Sequence, residues 1–467
     1  MQVHGHVAEL VDALASGANL RKEVEVQVLS CPQNVMNYKV LGGRKLIGSI
    51  AVNTSKNAAV ALLCASLLNQ GTTVLQRMPR IEEVNRLIEV LRSIGVSVRW
   101  SRGNTLTVVP PARLRLDRID RKAAGRTRSI AMLIGPLSHW EDEFVVPVPG
   151  GCVLGNRSLT AHIDALAELG IQMAGTKEGW HVRGRKKRPA DIIMYEASDT
   201  GVENVLMAAA LIPGTTTVRF ASANYMVQDL CVFLERLGVR IEGIGTSALV
   251  IHGVDHIHAG QEGEPSEDPI EAMFLLSLAA TTGSEITIRR APIDFLSIEL
   301  AHLKKMGFRF TYTQPVIGNN GRVRLVDIST KISSLVATDE KIAPMPYPGL
   351  NIDNLPLFVP VATQADGKTL IHDWVYENRA LYYTEMNKLG ANVMLADPHR
   401  AYIQGPTPLQ PAHIESPPAL RPASMLLIGM LAAKGESHLR NTYLINRGYE
   451  NLHERLKELG AHIEAYE

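Results

Sequence analysis

The segment Pro149-Gly150-Gly151-Cys152-Val153-Leu154-Gly155-Asn156-Arg157 combines a thiol and a guanidinium with three glycines. Because glycine permits many backbone conformations, we expect a mobile loop that can approach a ligand closely. Arg157 would help to make the surroundings of Cys152 electropositive, which a reactive thiol requires. The alternative is an ordinary glycine-rich turn with an inert cysteine, and the loop alone leaves both interpretations open.

A second group with chemical potential stands at the start of a predicted apolar helix, in Asn53-Thr54-Ser55-Lys56-Asn57-Ala58-Ala59. A Ser or Thr cap leaves the amides of the first helical turn exposed, and these attract anions. Lys56 would reinforce such a site beside Asn57. The alternative is a solvated lysine at a helix start.

Four arginines occupy predicted turns or helix starts, namely Arg128, Arg379, Arg421 and Arg447. Each alone could face solvent or serve as a structural clamp. Together they suggest a ligand with both phosphate and carboxylate groups, because arginine binds such groups through two parallel hydrogen bonds and lysine does not.

Asp353, in Asn351-Ile352-Asp353-Asn354, precedes a nearly apolar segment. A partly desolvated carboxylate there could act as a base toward a hydroxyl group. The alternative is capping of the following helix.

Metal chemistry is not indicated by the sequence. The cysteines Cys31, Cys64, Cys152 and Cys231 are widely spaced and lack the pattern of a structural zinc site. His252, His256 and His258 resemble a metal-binding spacing only loosely, and we interpret them as polar loop residues.

The overall composition bounds the class of protein. A chain of 467 residues exceeds one typical core, so we expect two or more domains. The net charge of +1 does not favour binding to nucleic acid or to an anionic membrane. The apolar runs are too short to span a bilayer, and we predict a cytoplasmic monomer. Residues 1–35 lack the features of a secretory signal, and we expect a disordered extension that precedes a natural start at Met36.

A strand, a short loop, an amphipathic helix, a glycine and another strand recur along the chain. The fullest copies end their helices at glycines 23 to 25 residues after a starting glycine. A sixth, less regular copy is closed by Gly170. We expect each stop glycine to adopt the left-handed conformation. These glycines are Gly95, Gly170, Gly238, Gly307, Gly390 and Gly460.

The helices fall into two types. In the first, Val84, Leu87, Ile88 and Leu91 mark one buried face, with charged residues between them. The second type is apolar nearly all round and must be interior. Its members are 58–68, 205–211, 272–280 and 425–433.

We therefore predict an α/β fold with six strand-helix repeats in two groups of three. The polar stretch 255–267 is the expected crossover between the groups, with a second crossover near Ser55. One domain would comprise residues 36–55 plus 268–467, and the other residues 56–267, which carry the Cys152 loop.

Taken together, the loop, the Lys56-Asn57 pair, the ordered arginines and the repeats resemble the enolpyruvyl transferases, from about Met36 to the C-terminus. The resemblance implies two inside-out α/β barrel domains of three repeats each, with the active site in the cleft between them. It further implies transfer of the enolpyruvyl group of phosphoenolpyruvate to UDP-N-acetylglucosamine, without a metal or an organic cofactor.

The resemblance also implies roles for individual residues. Cys152 would be the general acid of the mobile loop, and Asp353 the candidate base. Lys56, Arg157 and Arg447 would contact the phosphate of phosphoenolpyruvate. Arg379 and Arg421 would hold its carboxylate. Asn57 would bind the acceptor hydroxyl together with Asp353, and Arg128 matches a position in the same cleft.

Two departures concern the acceptor. The family usually has Asp-Arg-Ile-Glu where this chain has Asp268-Pro269-Ile270-Glu271, so a cation is missing. The family's phosphate-binding turn is altered to Asp199-Thr200-Gly201-Val202-Glu203, and a Glu-Pro pair is absent near 223–225. An acidic Asp199 beside a diphosphate is unfavourable unless it turns away. Shikimate 3-phosphate as the acceptor, a catalytically silent nucleotide-sugar-binding relative and a repeat scaffold for protein partners are the alternatives.

Overall fold

The computed structural model describes residues 36–150, 154, 158–257 and 260–467. Residues 1–35, Cys152, Arg157 and His258 lie outside the described residues, and so do the predictions made for them. The strands are β1 (Asn37–Gly42), β2 (Ile47–Ala51), β3 (Thr73–Leu75), β4 (Ser97–Ser101), β5 (Thr105–Val109), β6 (Glu143–Val146), β7 (Gln172–Thr176), β8 (Gly179–Arg183), β9 (Asp191–Ile193), β10 (Gly214–Arg219), β11 (Arg240–Glu242), β12 (Ala248–Gly253), β13 (Gln261–Gly263), β14 (Glu285–Pro292), β15 (Arg309–Tyr312), β16 (Val316–Ile317), β17 (Arg324–Lys331), β18 (Gly367–His372), β19 (Asn392–Asp397), β20 (Arg400–Gly405), β21 (His413–Glu415), β22 (Gly435–Arg440) and β23 (His462–Tyr466).

The α-helices lie between these strands. They are α1 (Lys56–Ala65), α2 (Glu82–Ser93), α3 (Arg121–Ala124), α4 (Ile134–Leu137), α5 (Thr160–Glu168), α6 (Asp199–Ala209), α7 (Tyr225–Arg236), α8 (Pro269–Thr282), α9 (Ser297–Lys305), α10 (Phe358–Thr363), α11 (Leu420–Ala432), α12 (Tyr443–Gly448) and α13 (Leu452–Lys457). Short 3-10 helices cover Ser66–Leu68, Arg102–Asn104, Leu116–Arg118, Ser129–Leu133, Ile293–Phe295, Leu355–Leu357 and Ala380–Leu389.

Within the described ranges the strands pair into six small sheets around a shared core of buried side chains. Their strand orders are β21-β22-β1-β23, β11-β12-β10-β9, β13-β3-β5-β4, β15-β17-β14-β2 with β16 beside β17, β18-β20-β19 and β6-β8-β7. Residues 36–467 form one compact unit.

The predicted stop glycines adopt the left-handed conformation. Their φ angles lie between 80° and 98°, as the helix ends require. The prediction is confirmed at all six positions, Gly95, Gly170, Gly238, Gly307, Gly390 and Gly460.

The helix types also match the sequence pattern. In α2, the side chains of Val84, Leu87, Ile88 and Leu91 are buried, as predicted. Helices α1, α8 and α11 are interior, since nearly every side chain in them is buried. One segment differs: residues 380–389, expected as an amphipathic α-helix, form a 3-10 helix. Its Tyr-Tyr-Thr run has low helix propensity, which favours the tighter and shorter-range form.

Two neighbouring strand pairs join parts of the chain that are far apart in the sequence. Strand β2 pairs with β14 in parallel, while β13 pairs with β3. Thr54 and Glu267 form an isolated bridge where these two segments meet. The buried carboxylate of Glu267 also pairs with Arg77 at 2.8 Å and with the Nε of Arg290 at 2.9 Å.

The helices of the described part include none long and apolar enough to cross a membrane.

The stop glycines give a matched test of backbone strain. At Gly238 an added Cβ meets no atom within 4 Å, so Gly238→Ala pays only for the left-handed conformation, about 1 kcal/mol. At Gly307 an added Cβ lies 2.7 Å from the Ser334 carbonyl oxygen, and we expect Gly307→Ala to cost about 2–4 kcal/mol. Urea unfolding of both variants measures the difference, and equal losses would contradict this account.

Candidate active site

Two adjoining pockets lie beside the N-terminal ends of α1 and α6. The first, here called the cationic pocket, has a volume of about 190 Å³. The second, the aromatic pocket, has a volume of about 550 Å³. They share lining residues that include Arg128, His162 and Asp199, so they form one continuous site. The cationic pocket is lined by Lys56, Arg128, Arg379, Arg421 and Arg447, and the aromatic pocket by Tyr195, Phe220, Phe295, Tyr347, Trp374 and Tyr376.

Lys56 is the first residue of α1, and its ammonium group donates to Asn57 Oδ1 at 2.7 Å. The amide of Asn57 donates in turn to the hydroxyl of Tyr225 at 3.1 Å. Burial lowers the pKa of Lys56, and the charges of Arg447 and Arg421 lower it further. An anion bound in the pocket would remove this penalty and stabilise the ammonium form.

The carboxylate of Asp353 faces arginines rather than a helix end. Arg421 Nη2 donates to it at 3.2 Å, and Arg379 Nη1 lies 4.0 Å away. The 3-10 helix that follows, Leu355–Leu357, has no side-chain cap, so the capping interpretation is wrong. Burial opposes ionisation of Asp353, but Arg421, Arg379 and Lys56 outweigh it and lower its pKa.

Arg379 is both a clamp and a pocket residue. Its side chain is only 1% exposed and pairs with buried Asp373 through Nε at 2.5 Å and Nη2 at 2.9 Å. Its Nη2 also donates to the Ile352 carbonyl, at 2.9 Å. Among the described residues, Nη1 has no hydrogen-bond acceptor. The clamp therefore fixes a guanidinium whose remaining donor is available to an anion.

Glu83 was missed by the sequence reasoning and lies at the centre of the cationic pocket. Its carboxylate accepts from Arg447 Nε, from the Thr127 hydroxyl, and from the Ser129 hydroxyl at 2.7 Å. Burial would raise its pKa, but Lys56 and Arg447 outweigh burial and hold the pKa at about 2. A signal existed: Glu83 lies four residues before Leu87, on the buried face of α2.

Asp199 resolves one question left by the sequence, because its carboxylate turns toward the loop before α7. It accepts from the Ser222 hydroxyl, and from Asn224 Nδ2 at 3.2 Å. Burial raises its pKa to about 6. The altered segment 199–203 forms the first turns of α6, and Pro269 is the first residue of α8, where proline is well tolerated.

The described residues thus bring seven predicted site residues to one pocket: Lys56, Asn57, Arg128, Asp353, Arg379, Arg421 and Arg447. Cys152 and Arg157 lie outside the described residues, although Leu154 between them lines the cationic pocket. Within the described part of the chain, no three ligand-type side chains are grouped to hold a metal ion. His252 contacts Glu242, and His256 contacts Asp255.

The family model for EPSP synthase (3-phosphoshikimate 1-carboxyvinyltransferase) matches residues 40–456. Among curated proteins, the UDP-N-acetylglucosamine 1-carboxyvinyltransferase of Bradyrhizobium diazoefficiens is 34% identical over 92% of this chain and 97% of its own length. The protein of the same name from Treponema denticola is 32% identical over 92% of this chain and 99% of its own length.

Solved structures share the fold. The enolpyruvyl transferase NikO from Streptomyces tendae superposes with a TM-score of 0.77 at 22% identity, covering 93% of this chain and 99% of that chain. EPSP synthase from Acinetobacter baumannii gives a TM-score of 0.70 at 20% identity, over 92% of this chain and 100% of that chain. The fold is therefore the mixed α/β fold of these enzymes.

The buried Glu83–Arg447 pair makes a stability prediction. Glu83→Gln removes the charged acceptor of the buried Arg447 Nε, and we expect a loss of about 3 kcal/mol at pH 7. Because the folded-state pKa of Glu83 is depressed from 4.5 to about 2, its contribution is present above pH 4.5 and lost as the pH falls toward 2. Urea unfolding of both proteins between pH 7 and pH 2 should show the difference shrinking over that window. A constant difference would contradict the assignment.

Proposed function

The chain belongs to the EPSP synthase family of enolpyruvyl transferases, and on this premise we propose that it transfers the enolpyruvyl group of phosphoenolpyruvate to the sugar 3-hydroxyl of UDP-N-acetylglucosamine, releasing phosphate. This is the first committed step of peptidoglycan precursor synthesis. The observation that carries the proposal is the convergence of Lys56, Arg379, Arg421 and Arg447 on one pocket beside Asp353, in a chain whose curated relatives bear that enzyme's name.

The cationic pocket is proposed to bind phosphoenolpyruvate. Lys56 and Arg447 hold its phosphate, together with Arg157. Arg379 and Arg421 hold its carboxylate, and Arg379 offers the Nη1 donor that lacks an acceptor among the described residues. Guanidinium groups suit this task because they donate two parallel hydrogen bonds.

Asp353 is the proposed base, and donor binding would prepare it. The charges of Arg421, Arg379 and Lys56 lower its pKa, which makes it a weak base. When the anionic donor neutralises those charges, the pKa of Asp353 rises toward the value that general base catalysis requires. Chemistry is thereby coupled to occupancy of the pocket.

The proposed reaction is an addition followed by an elimination. The acceptor oxygen attacks C2 of phosphoenolpyruvate and passes its proton to Asp353, while C3 takes a proton from Cys152. In the resulting tetrahedral phospho-ketal, C3 then returns a proton to the Cys152 thiolate as the bond from C2 to the phosphate oxygen breaks, and inorganic phosphate leaves. Positioning and charge neutralisation provide the rate enhancement, and the steps need no metal or organic cofactor.

The aromatic pocket is proposed to bind the nucleotide sugar, with Arg128 at its junction with the cationic pocket and Asn57 within the cationic pocket. Aromatic rings such as Trp374 and Tyr195 offer stacking surfaces for a nucleobase. Shikimate 3-phosphate has no base, so this lining favours the nucleotide sugar over that acceptor. The turned carboxylate of Asp199 is occupied by its own donors and leaves room for the diphosphate.

We further propose that six repeats form two inside-out lobes, residues 36–55 plus 268–467 and residues 56–267, which close over the substrates. The strand pairs support this grouping, because both partners of each pair belong to the same proposed lobe. The substrates are cytoplasmic metabolites, and a net charge of +1 gives no reason for nucleic-acid or membrane binding. We therefore infer a cytoplasmic monomer.

The activity assay is direct. Purified protein with phosphoenolpyruvate and UDP-N-acetylglucosamine should release phosphate, and omission of either substrate should abolish release. We expect Asp353→Asn to lower kcat by about 10²–10⁴-fold, because the amide cannot take the hydroxyl proton. Asp339→Asn, an exposed site outside both pockets, should leave kcat unchanged. The proposal would be refuted if no phosphate were released. It would also be refuted if phosphate were released only when shikimate 3-phosphate replaced UDP-N-acetylglucosamine as the acceptor.

The proposed loop thiol can be tested by alkylation. Fosfomycin, an epoxide analogue of phosphoenolpyruvate, should label Cys152, and Cys152→Ala should abolish the adduct seen by mass spectrometry. Cys64 and Cys231 are internal controls: both are buried, and burial raises the pKa of each thiol, so they should stay unlabelled. An adduct on either of them instead would overturn the assignment.

A further inference from the structure

Glu203 is a buried carboxyl group that the reaction described above does not use. It lies in the second turn of α6, is 1% exposed and lines the cationic pocket. Among the described residues no donor reaches its Oε1 atom, and it takes part in no ion pair there. Buried polar groups are nearly always hydrogen-bonded, so an orphan beside a pocket points to a ligand that completes it.

Other buried acids in this chain show the contrast. Asp229 accepts from the backbone and hydroxyl of Ser266 at 2.8 and 2.6 Å, and from Asn320 at 2.9 Å. Glu299 accepts from the backbone of Asn351 and from the Asn354 amide. The fold therefore satisfies its structural carboxyl groups, and Glu203 departs from that rule where the protein meets a cavity.

The surroundings of Glu203 favour its neutral form over the carboxylate. The same pocket wall carries apolar side chains, including Val60, Met132 and Met226. Burial raises the pKa of Glu203 well above its ordinary value, Asp199 adds to the rise, and Lys56 opposes it. A protonated carboxyl group has an O–H donor, which a carboxylate lacks.

We propose that Glu203 is a further binding residue for the donor substrate, whose protonated carboxyl group donates a hydrogen bond to an anionic oxygen of phosphoenolpyruvate. Glu203 lines the cationic pocket and is absent from the lining of the aromatic pocket, which assigns it to the donor rather than the acceptor. A neutral carboxyl group can donate a hydrogen bond to the anion, whereas a carboxylate at this position would repel it. The inference rests on the proposed function for the identity of the anion.

Two substitutions separate a ligand contact from a structural role. Glu203→Met keeps the volume but removes the donor, and we expect the KM for phosphoenolpyruvate to rise about 10-fold or more, with the KM for UDP-N-acetylglucosamine changed less than about twofold. Its Tm should equal or exceed that of the wild type, because an unpaired polar group leaves the interior. Glu203→Gln keeps a donor and should stay within about threefold of the wild-type KM.

The control is Thr369→Val. The Thr369 hydroxyl is also buried without a hydrogen-bond partner in the described part, but it lines neither pocket. This variant should keep or raise Tm and leave both KM values unchanged. It shows whether removing a buried polar group that lacks a hydrogen-bond partner changes substrate binding when that group lines neither pocket.

Three results would overturn the proposal: a wild-type KM in Glu203→Met, a Glu203→Gln as impaired as Glu203→Met, or a Glu203→Met that fails to fold. The rise in Tm on adding phosphoenolpyruvate alone gives a readout independent of turnover. A wild type that gains Tm with phosphoenolpyruvate but releases no phosphate would refute the acceptor assignment. In that case a smaller gain in Glu203→Met alone would still support the contact.

Discussion

The buried ion pair between Glu83 and Arg447 sets the conditions for the rest of the site. Five cationic side chains line one pocket, those of Lys56, Arg128, Arg379, Arg421 and Arg447. Cations cannot share a desolvated space unless carboxylates accompany them. Glu83 and Asp353 supply that charge, and Glu83 adds a fixed geometry through the hydroxyls of Thr127 and Ser129. The pocket is thus assembled before any ligand enters, yet it still favours an anion, because the charges of Arg447 and Arg421 contribute to the lowered pKa of Lys56.

The fold makes this assembly possible by bringing helix ends from distant parts of the chain together. Lys56 begins an interior helix, and Arg421 lies in the first turn of another, so both backbones are held by packing on every side. Arg379 precedes the 3-10 helix Ala380–Leu389, and its side chain is held in place by Asp373. A side chain on a well-packed helix therefore needs fewer hydrogen-bond partners to fix its position than a side chain on an irregular segment.

The features that could be predicted from the sequence are those that depend on local backbone conformation and on burial. Left-handed glycines and all-apolar helices have local causes, so Gly95 and the helix 272–280 could be identified from pattern alone. The residues of the cationic pocket could be gathered only through the family resemblance, since their separations along the chain carry no distance information. Glu203 escaped notice because an acidic residue in a helix usually faces solvent, and the packing of α6 turns it inward. Glu83 was overlooked on the same assumption, although its place four residues before Leu87 put it on the buried face of α2. The aromatic pocket escaped notice for a different reason: its rings come from segments that are far apart in the sequence.

The two pockets divide the work of recognition between charge and shape. In the cationic pocket, the proposed specificity comes from matching the number and direction of charges, so the loss of one charge weakens the balance among the others. In the aromatic pocket, flat rings would accept the proposed base with little penalty for small displacements. Asp199 stands at the junction, and its carboxylate is satisfied by Ser222 and Asn224 before a ligand arrives. An acidic residue can therefore occupy a segment that resembles a phosphate-binding turn, because its carboxyl group is hydrogen-bonded to the neighbouring loop and turned toward it.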